Sequence, residues 1–206
     1  MQSSRSWFLL LAVGVIGGSS IYHQLANQTN SPDHQRNTGG KISLVYGQVT
    51  GVIDGDKLRL RLKLETPTGD QLGDEHDVRL FGIDAPELDQ PKGQEAKDLV
   101  SEIILDQEVL LEMIRTNDEH WEALVYSVPG VSVNEIVLAS GLAWLDEKRA
   151  SEEEAFCVSA SVARGAALGI WADADSIPPW QWRKMTAAAK QLRWKQVYRE
   201  KGLAKA

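Results

Sequence analysis

At 206 residues, with 43% hydrophobic and 25% charged side chains, the chain has room for one domain with a real core plus appendages. Its single cysteine, Cys157, excludes an intramolecular disulfide and a cysteine-rich zinc cluster, and among small residues in a predicted helix it reads as an inert packed thiol. The net charge of −7 is uneven: residues 41–179 carry 12 basic against 27 acidic side chains, whereas residues 180–206 carry eight basic groups and one acid, Glu200. Phosphate contacts supply most non-specific nucleic-acid affinity, so this acidic body argues against a high-affinity DNA-binding protein but not against an enzyme that binds a divalent cation.

In chain order, Arg5 precedes an apolar run from Trp7 to Ile16, followed by Gly17, Gly18, Ser19 and Ser20. This is the layout of a charged region, a hydrophobic region and a small-residue stretch. Residues 1–22 satisfy both a cleaved signal peptide and an uncleaved anchor, since a span of about 20 residues is reached only through the Gly/Ser stretch. Arg5 on the near side favours an N-in orientation, which predicts an extracytoplasmic protein, membrane-anchored or secreted/periplasmic. Residues 23–40 are polar and rich in turn formers, a linker whose His23 and His34 read as solvated.

From residue 41 the pattern predicts strands over ISLVYGQVTGVIDGD, KLRLRLKL and DVRLFGI. In the second, Leu58, Leu60, Leu62 and Leu64 alternate with Lys57, Arg59, Arg61 and Lys63, giving one core face and one basic stripe, either solvated or in contact with phosphate. TPTGDQLGDEHD reads as a turn-rich connection. After Pro91 the positions of Ala96, Leu99, Val100, Ile103 and Ile104 predict a helix; QEVLLEMIR and EALVYSV predict two more strands. Ser132 and Glu135 form a capping box for a helix that stops at Gly141, and Ser151 with Glu154 a second box for a helix through Leu168. Five strands and about three helices, with the strands mostly first, predict an α+β domain on a small barrel. The tail IPPWQWRKMTAAAKQLRWKQVYREKG reads as a basic helix that packs through Trp182, Met185, Ala189 and Leu192. Trp194 and Tyr198, interleaved with Arg193, Lys195 and Arg199, suit base stacking or an anionic membrane.

Two acidic places carry chemical interest. Asp54-Gly55-Asp56 lies where the first strand turns into the second, Gly55 permitting a bend with positive φ. Arg79, Asp84 and Glu87 lie at the end of the third strand. Acids and glycine at these places also suit ordinary turns. In a small barrel, however, the two places can adjoin; carboxylates brought that close repel and shift one another's pKa values, which a hard cation resolves.

VIDGD (52–56), VRLFGIDAPE (78–87), the helix containing Glu95-Ala96, SVNEIVLASGLAW (132–144) and ALGIW (167–171) occur in an order and spacing that resembles the staphylococcal nuclease-like (thermonuclease) family over roughly residues 42–172. The resemblance implies a five-stranded oligonucleotide/oligosaccharide-binding (OB) barrel with packed helices and calcium-dependent hydrolysis of phosphodiester bonds, with single-stranded DNA or RNA as substrate. It implies calcium on Asp56, Asp84 and the Ala85 carbonyl, phosphate on Arg79, Glu87 as the residue that orients or deprotonates water, and Asp54 supporting from behind. The resulting organisation is a signal or anchor (1–22), a linker (23–40), the OB-fold domain (41–172) and a Pro/Trp-rich basic extension (173–206). Similar Pro-Pro-Trp-x-Trp-Arg elements follow the core in some members that the chain resembles, which favours a docked extension.

The departures matter as well. Where the family pattern has a second active-site arginine in a turn, the sequence TNDEHWEALVY places His120, with Glu119 replacing a glycine and Arg115 nearby as a stand-in. Tyrosines expected after the GLA segment are absent; Trp144 reads as a core residue. A histidine cannot make the bidentate phosphate fork of an arginine. Two expectations therefore follow: a calcium-dependent nuclease of weakened activity, or a catalytically silent OB-fold binding or scaffold module.

Overall fold

The computed structural model describes residues 43–67, 69–116, 121–127 and 131–200. The expected signal or anchor, the linker and His120 lie outside these residues.

Five long strands carry the domain: β1 (Ser43–Val52), β2 (Lys57–Thr66), β3 (Gly69–Leu80), β5 (Glu108–Thr116) and β6 (Trp121–Ser127), with two-residue strands β4 (Ile83–Asp84), β7 (Val131–Ser132) and β8 (Trp144–Leu145). The main sheet runs β3-β2-β1-β5-β6-β7, antiparallel between neighbours. A parallel pairing of β3 with β6 (Val78 with Trp121, Leu80 with Ala123) closes it on itself. This closed five-strand sheet with helices packed on it is an α+β OB-fold, and closure removes the sheet edges that would otherwise invite pairing with other chains.

The leucine alternation of β2 works as expected for Leu58 and Leu60, both fully buried. It fails at Leu64, which is 48% exposed, because the β2–β3 register shifts between Arg61 and Lys63 and the hairpin then leaves the core. The predicted connection 66–77 is likewise mostly strand. Its polar composition is that of a hairpin arm with solvent on both faces, which needs no apolar alternation.

Helix α1 (Gly93–Ile104) buries Ala96, Val100 and Ile104 against the barrel. Helix α2 (Val133–Ala139) starts with the Ser132 hydroxyl accepting from the Glu135 N–H, as the first capping box predicts, and Gly141 follows it at φ 66°. Next come α3 (Glu147–Ala150), α4 (Glu154–Gly165) and a 3-10 turn (Gly169–Ala172). The second capping box does not form: α4 begins after Glu153, without a side-chain cap, and ends three residues before Leu168. The extension is two helices, α5 (Pro179–Trp182) and α6 (Ala187–Glu200), broken at residues 183–186. That break ruins the expected continuous stripe. Trp182 is fully buried, but Leu192 is 59% exposed, and α6 instead buries Arg193 and Val197.

Candidate functional site

The site lies where two turns meet at one end of the β2–β3 hairpin. Lys57 pairs with Arg79 in the ladder, and the Leu80 N–H donates to the Asp56 carbonyl at 2.8 Å. Strand pairing alone therefore brings Asp56 beside the end of β3. In the first turn, Asp54 Oδ1 accepts from the Asp56 N–H at 3.0 Å, a local aspartate turn that fixes Asp56 from behind. Gly55 is not in the left-handed region as expected. Its reason is space: a Cβ there would lie 2.6 Å from the Ala96 Cβ and 2.7 Å from the Ala85 Cβ.

The second turn is held from several sides. Asp84 pairs in register with Trp144 of β8. Fully buried Asn134 donates to the Phe81 carbonyl at 2.9 Å and accepts from the Val125 N–H at 3.0 Å, fastening the end of β3 to β6. The Glu87 carbonyl sits where a Cβ on residue 93 would be, so Gly93 lets the 84–90 loop rest on the start of α1.

Arg79 links the two turns. Its Nη2 donates to Asp56 Oδ2 at 3.0 Å and to Asp84 Oδ1 at 2.9 Å, so the two carboxylates converge on one nitrogen. Both aspartates are buried, at 5% and 8% exposure. Asp56 Oδ2 also accepts from the Ala85 N–H at 3.1 Å. Burial pushes the Asp56 carboxyl up to about 7, against the pull of Arg79 and with a push from Asp54 and Asp84. Burial opposes the charge of Arg79 as well, but Asp56 and Asp84 outweigh it and raise the guanidinium above its usual value. Arg79 Nε is buried and meets no acceptor among the described residues.

This donor set suits a hard divalent cation. Buried carboxylate oxygens aimed at one point favour a cation beside them, and oxygen donors are what calcium takes. No group of three His, Cys, Asp or Glu side chains spaced to hold a metal occurs among the described residues. Guanidinium groups occupy the space between the carboxylates instead.

One of them was not foreseen from the sequence. Arg183, just after α5, donates through Nη2 to Asp84 Oδ2 at 2.9 Å and through Nη1 to Asp84 Oδ1 at 3.2 Å. Its Nη1 also reaches Glu87 Oε1 at 2.6 Å. The available signal was the Pro-Pro-Trp-x-Trp-Arg segment, but a partner 99 residues away leaves no periodic trace in sequence. Several other basic groups are spent elsewhere. On the β2 stripe, Arg59 pairs with Asp77 and Lys63 with Glu108, so the solvated face describes it better than a phosphate track. In α6, Arg193 pairs with Asp173, and the Trp194 indole donates to the Asp89 carbonyl at 2.8 Å. Arg115 lies opposite Glu122 in the ladder, and buried Trp144 makes edge contacts with Trp171 and Trp180.

Comparison with known proteins places these residues in context. A family model described as "Staphylococcal nuclease homologue" matches residues 77–173, a span that contains Arg79, Asp84 and Glu87 and ends before Arg183. The chain is 29% identical over 141 residues to an "Uncharacterized endonuclease" of Escherichia coli O157:H7, covering 68% of this chain and 85% of that protein. It is 28% identical over 154 residues to a "Micrococcal nuclease" of Shigella flexneri, covering 69% and 83%. Over 112 residues it is 33% identical to the "Staphylococcal-like nuclease CAN1" of Arabidopsis thaliana, covering 52% of this chain and 33% of that protein.

Proposed function

Since the chain belongs to the staphylococcal nuclease-like family, we propose that it is a calcium-dependent phosphodiesterase acting on single-stranded DNA or RNA. The observation that carries this reading is the convergence of Asp56 and Asp84 on one guanidinium nitrogen of Arg79 in a buried recess. Two buried acids and a permanently charged arginine at one point are what a reaction with charge building on phosphoryl oxygens requires.

The Asp56 and Asp84 carboxylates and the Ala85 carbonyl would hold calcium, whose charge would stabilise the developing negative charge on the phosphoryl group. Arg79 binds the phosphodiester, with its buried Nε as unused donor capacity. Glu87 is half-buried and shares the Arg183 Nη1 donor with Asp84, which keeps its carboxylate beside the recess. There it orients the attacking water and accepts its proton as the water oxygen bonds to phosphorus and the ester oxygen departs. Asp54 keeps Asp56 in place through its backbone N–H. His120 stands where the resemblance has an arginine, which supports an activity weaker than that of the relatives. The apolar run after Arg5 supports an extracytoplasmic enzyme, anchored or released; mass spectrometry of the mature N-terminus distinguishes the two.

The test is cleavage of a labelled single-stranded oligonucleotide by the full chain. Calcium supports cleavage, EGTA abolishes it, and Asp84→Ala removes it; equal cleavage by that variant would overturn the assignment. A second reading, a silent binding module, draws on the two guanidiniums that already satisfy Asp84. Calorimetry showing no calcium uptake would select it.

A further inference from the structure

The basic extension does more than cover the barrel: it delivers Arg183 to the carboxylates. The arm that carries this residue is anchored independently of it. Trp182 is fully buried and its indole donates to Asp89 Oδ1 at 2.8 Å. Lys190 reaches Asp89 Oδ2 at 2.7 Å and lies over the Trp182 ring. Trp194 donates to the Asp89 carbonyl, and the Gln90 side chain donates to the Ile177 carbonyl. The extension is thus clamped to Asp89 and Gln90, in the same loop that bears Glu87. Arg183 arrives at the site because its neighbours are fixed, not because its own ion pairs pull the arm in.

Its position relative to Arg79 is informative. Both guanidiniums contact the same oxygen, Asp84 Oδ1, so they flank one spot from two sides. Arg79 alone already supplies Asp84 with a charged partner. The Arg183 fork on that carboxylate adds a like charge beside Arg79, an arrangement that an anion between them relieves. The fork is also the right shape. A guanidinium that grips both oxygens of a carboxylate grips two phosphoryl oxygens in the same way. With its side chain 44% exposed, Arg183 is free to turn from one to the other.

We propose that Arg183 is the second phosphate-binding guanidinium of the site, a catalytic residue supplied by the C-terminal extension. On substrate entry its fork passes from Asp84 to the scissile phosphodiester, opposite Arg79, leaving the Asp84 oxygens and Glu87 free for their own roles. The inference rests on the hydrolase reading above for its catalytic half, while its binding half is separable.

The experiment uses the full chain with Arg183→Ala, Arg183→Lys and, as an exposed neighbouring control, Lys184→Ala. Two readouts are taken with calcium: cleavage kinetics, and anisotropy binding of a hydrolysis-resistant phosphorothioate oligonucleotide. Near-UV circular dichroism checks that the Trp182 environment persists. The expected result is a kcat/KM about 10²-fold lower for Arg183→Ala, carried mainly by kcat, with roughly tenfold weaker oligonucleotide binding. Arg183→Lys regains part of the binding and little of kcat, because an ammonium restores charge but not the fork. Lys184→Ala matches wild type. If Arg183→Ala cuts and binds as well as wild type, or better, the arginine is a plug over Asp84 and the proposal is overturned. If wild type does not cut at all, the hydrolase reading fails, and the binding comparison between wild type and Arg183→Ala still decides whether Arg183 holds phosphate.

Discussion

The outer face of the β2–β3 hairpin and the recess at its proximal end use the same chemistry to opposite effect. On the outer face and toward the turn, arginine and lysine pair with carboxylates across the strands at partly exposed positions: Arg59 with Asp77, Lys63 with Asp70. At the proximal end Arg79 faces Asp56 and Asp84 in a recess where both acids are nearly inaccessible. Water screens the first set, and such pairs typically contribute little. Burial magnifies the second, pushing the Asp56 carboxyl up to about 7. Charge pattern along a strand therefore does not identify a site; charge pattern together with what covers it does.

Substitutions along the hairpin sharpen this contrast, and the largest effect belongs to the proximal end. Asp84→Ala is expected to lower calcium-dependent cleavage by about 10³-fold or more, measured as kcat/KM on a labelled oligonucleotide. Retained activity would make the recess and the outer face equivalent.

Next comes Glu122, which lies beside Arg79 in the parallel ladder and pairs with Arg149 through Oε1 at 2.9 Å. Burial opposes the Glu122 charge, but the Arg149 hydrogen bond and charge prevail and hold its pKa below the usual glutamate value. Arg149→Ala leaves a buried carboxylate without its partner, at a cost of about 3 kcal/mol in urea unfolding at pH 7. Because the folded pKa is lowered, this stabilisation is present above the ordinary glutamate range and disappears as pH falls through the depressed value. The gap between wild type and Arg149→Ala is accordingly expected to shrink in acid; a gap independent of pH would show that packing, not charge, is lost.

Asn134→Ala removes partners from the Phe81 carbonyl and the Val125 N–H. A destabilisation of about 2 kcal/mol is expected, with a fall in cleavage because the end of β3 is no longer fixed. On the outer face of the same hairpin, Arg59→Ala should leave both melting temperature and cleavage at wild-type values. A clear loss there would break the comparison.

Much of the proximal end is legible in sequence. Asp56, Arg79, Asp84 and Glu87 stand at strand ends defined by apolar alternation, and the ladder joins those ends. The barrel strands follow from the same alternation, and α1 from its 3.6-residue period. The distal arm is not legible, since residues 69–77 are held by cross-strand charge and backbone bonds in solvent and resemble a loop in composition. Gly55 was legible as necessary but for the wrong reason, because close packing against Ala85 and Ala96 depends on residues 30 and 41 positions away. Arg183 and Asn134 act on partners remote in the chain, and local pattern carries no record of such contacts.

The central claim, that Asp56 and Asp84 serve one divalent ion, is tested most directly by calorimetric titration of calcium into wild type and Asp84→Asn. The account predicts one calcium per wild-type chain and binding weakened at least about 10²-fold in the variant. Equal calcium binding by the two proteins would contradict it.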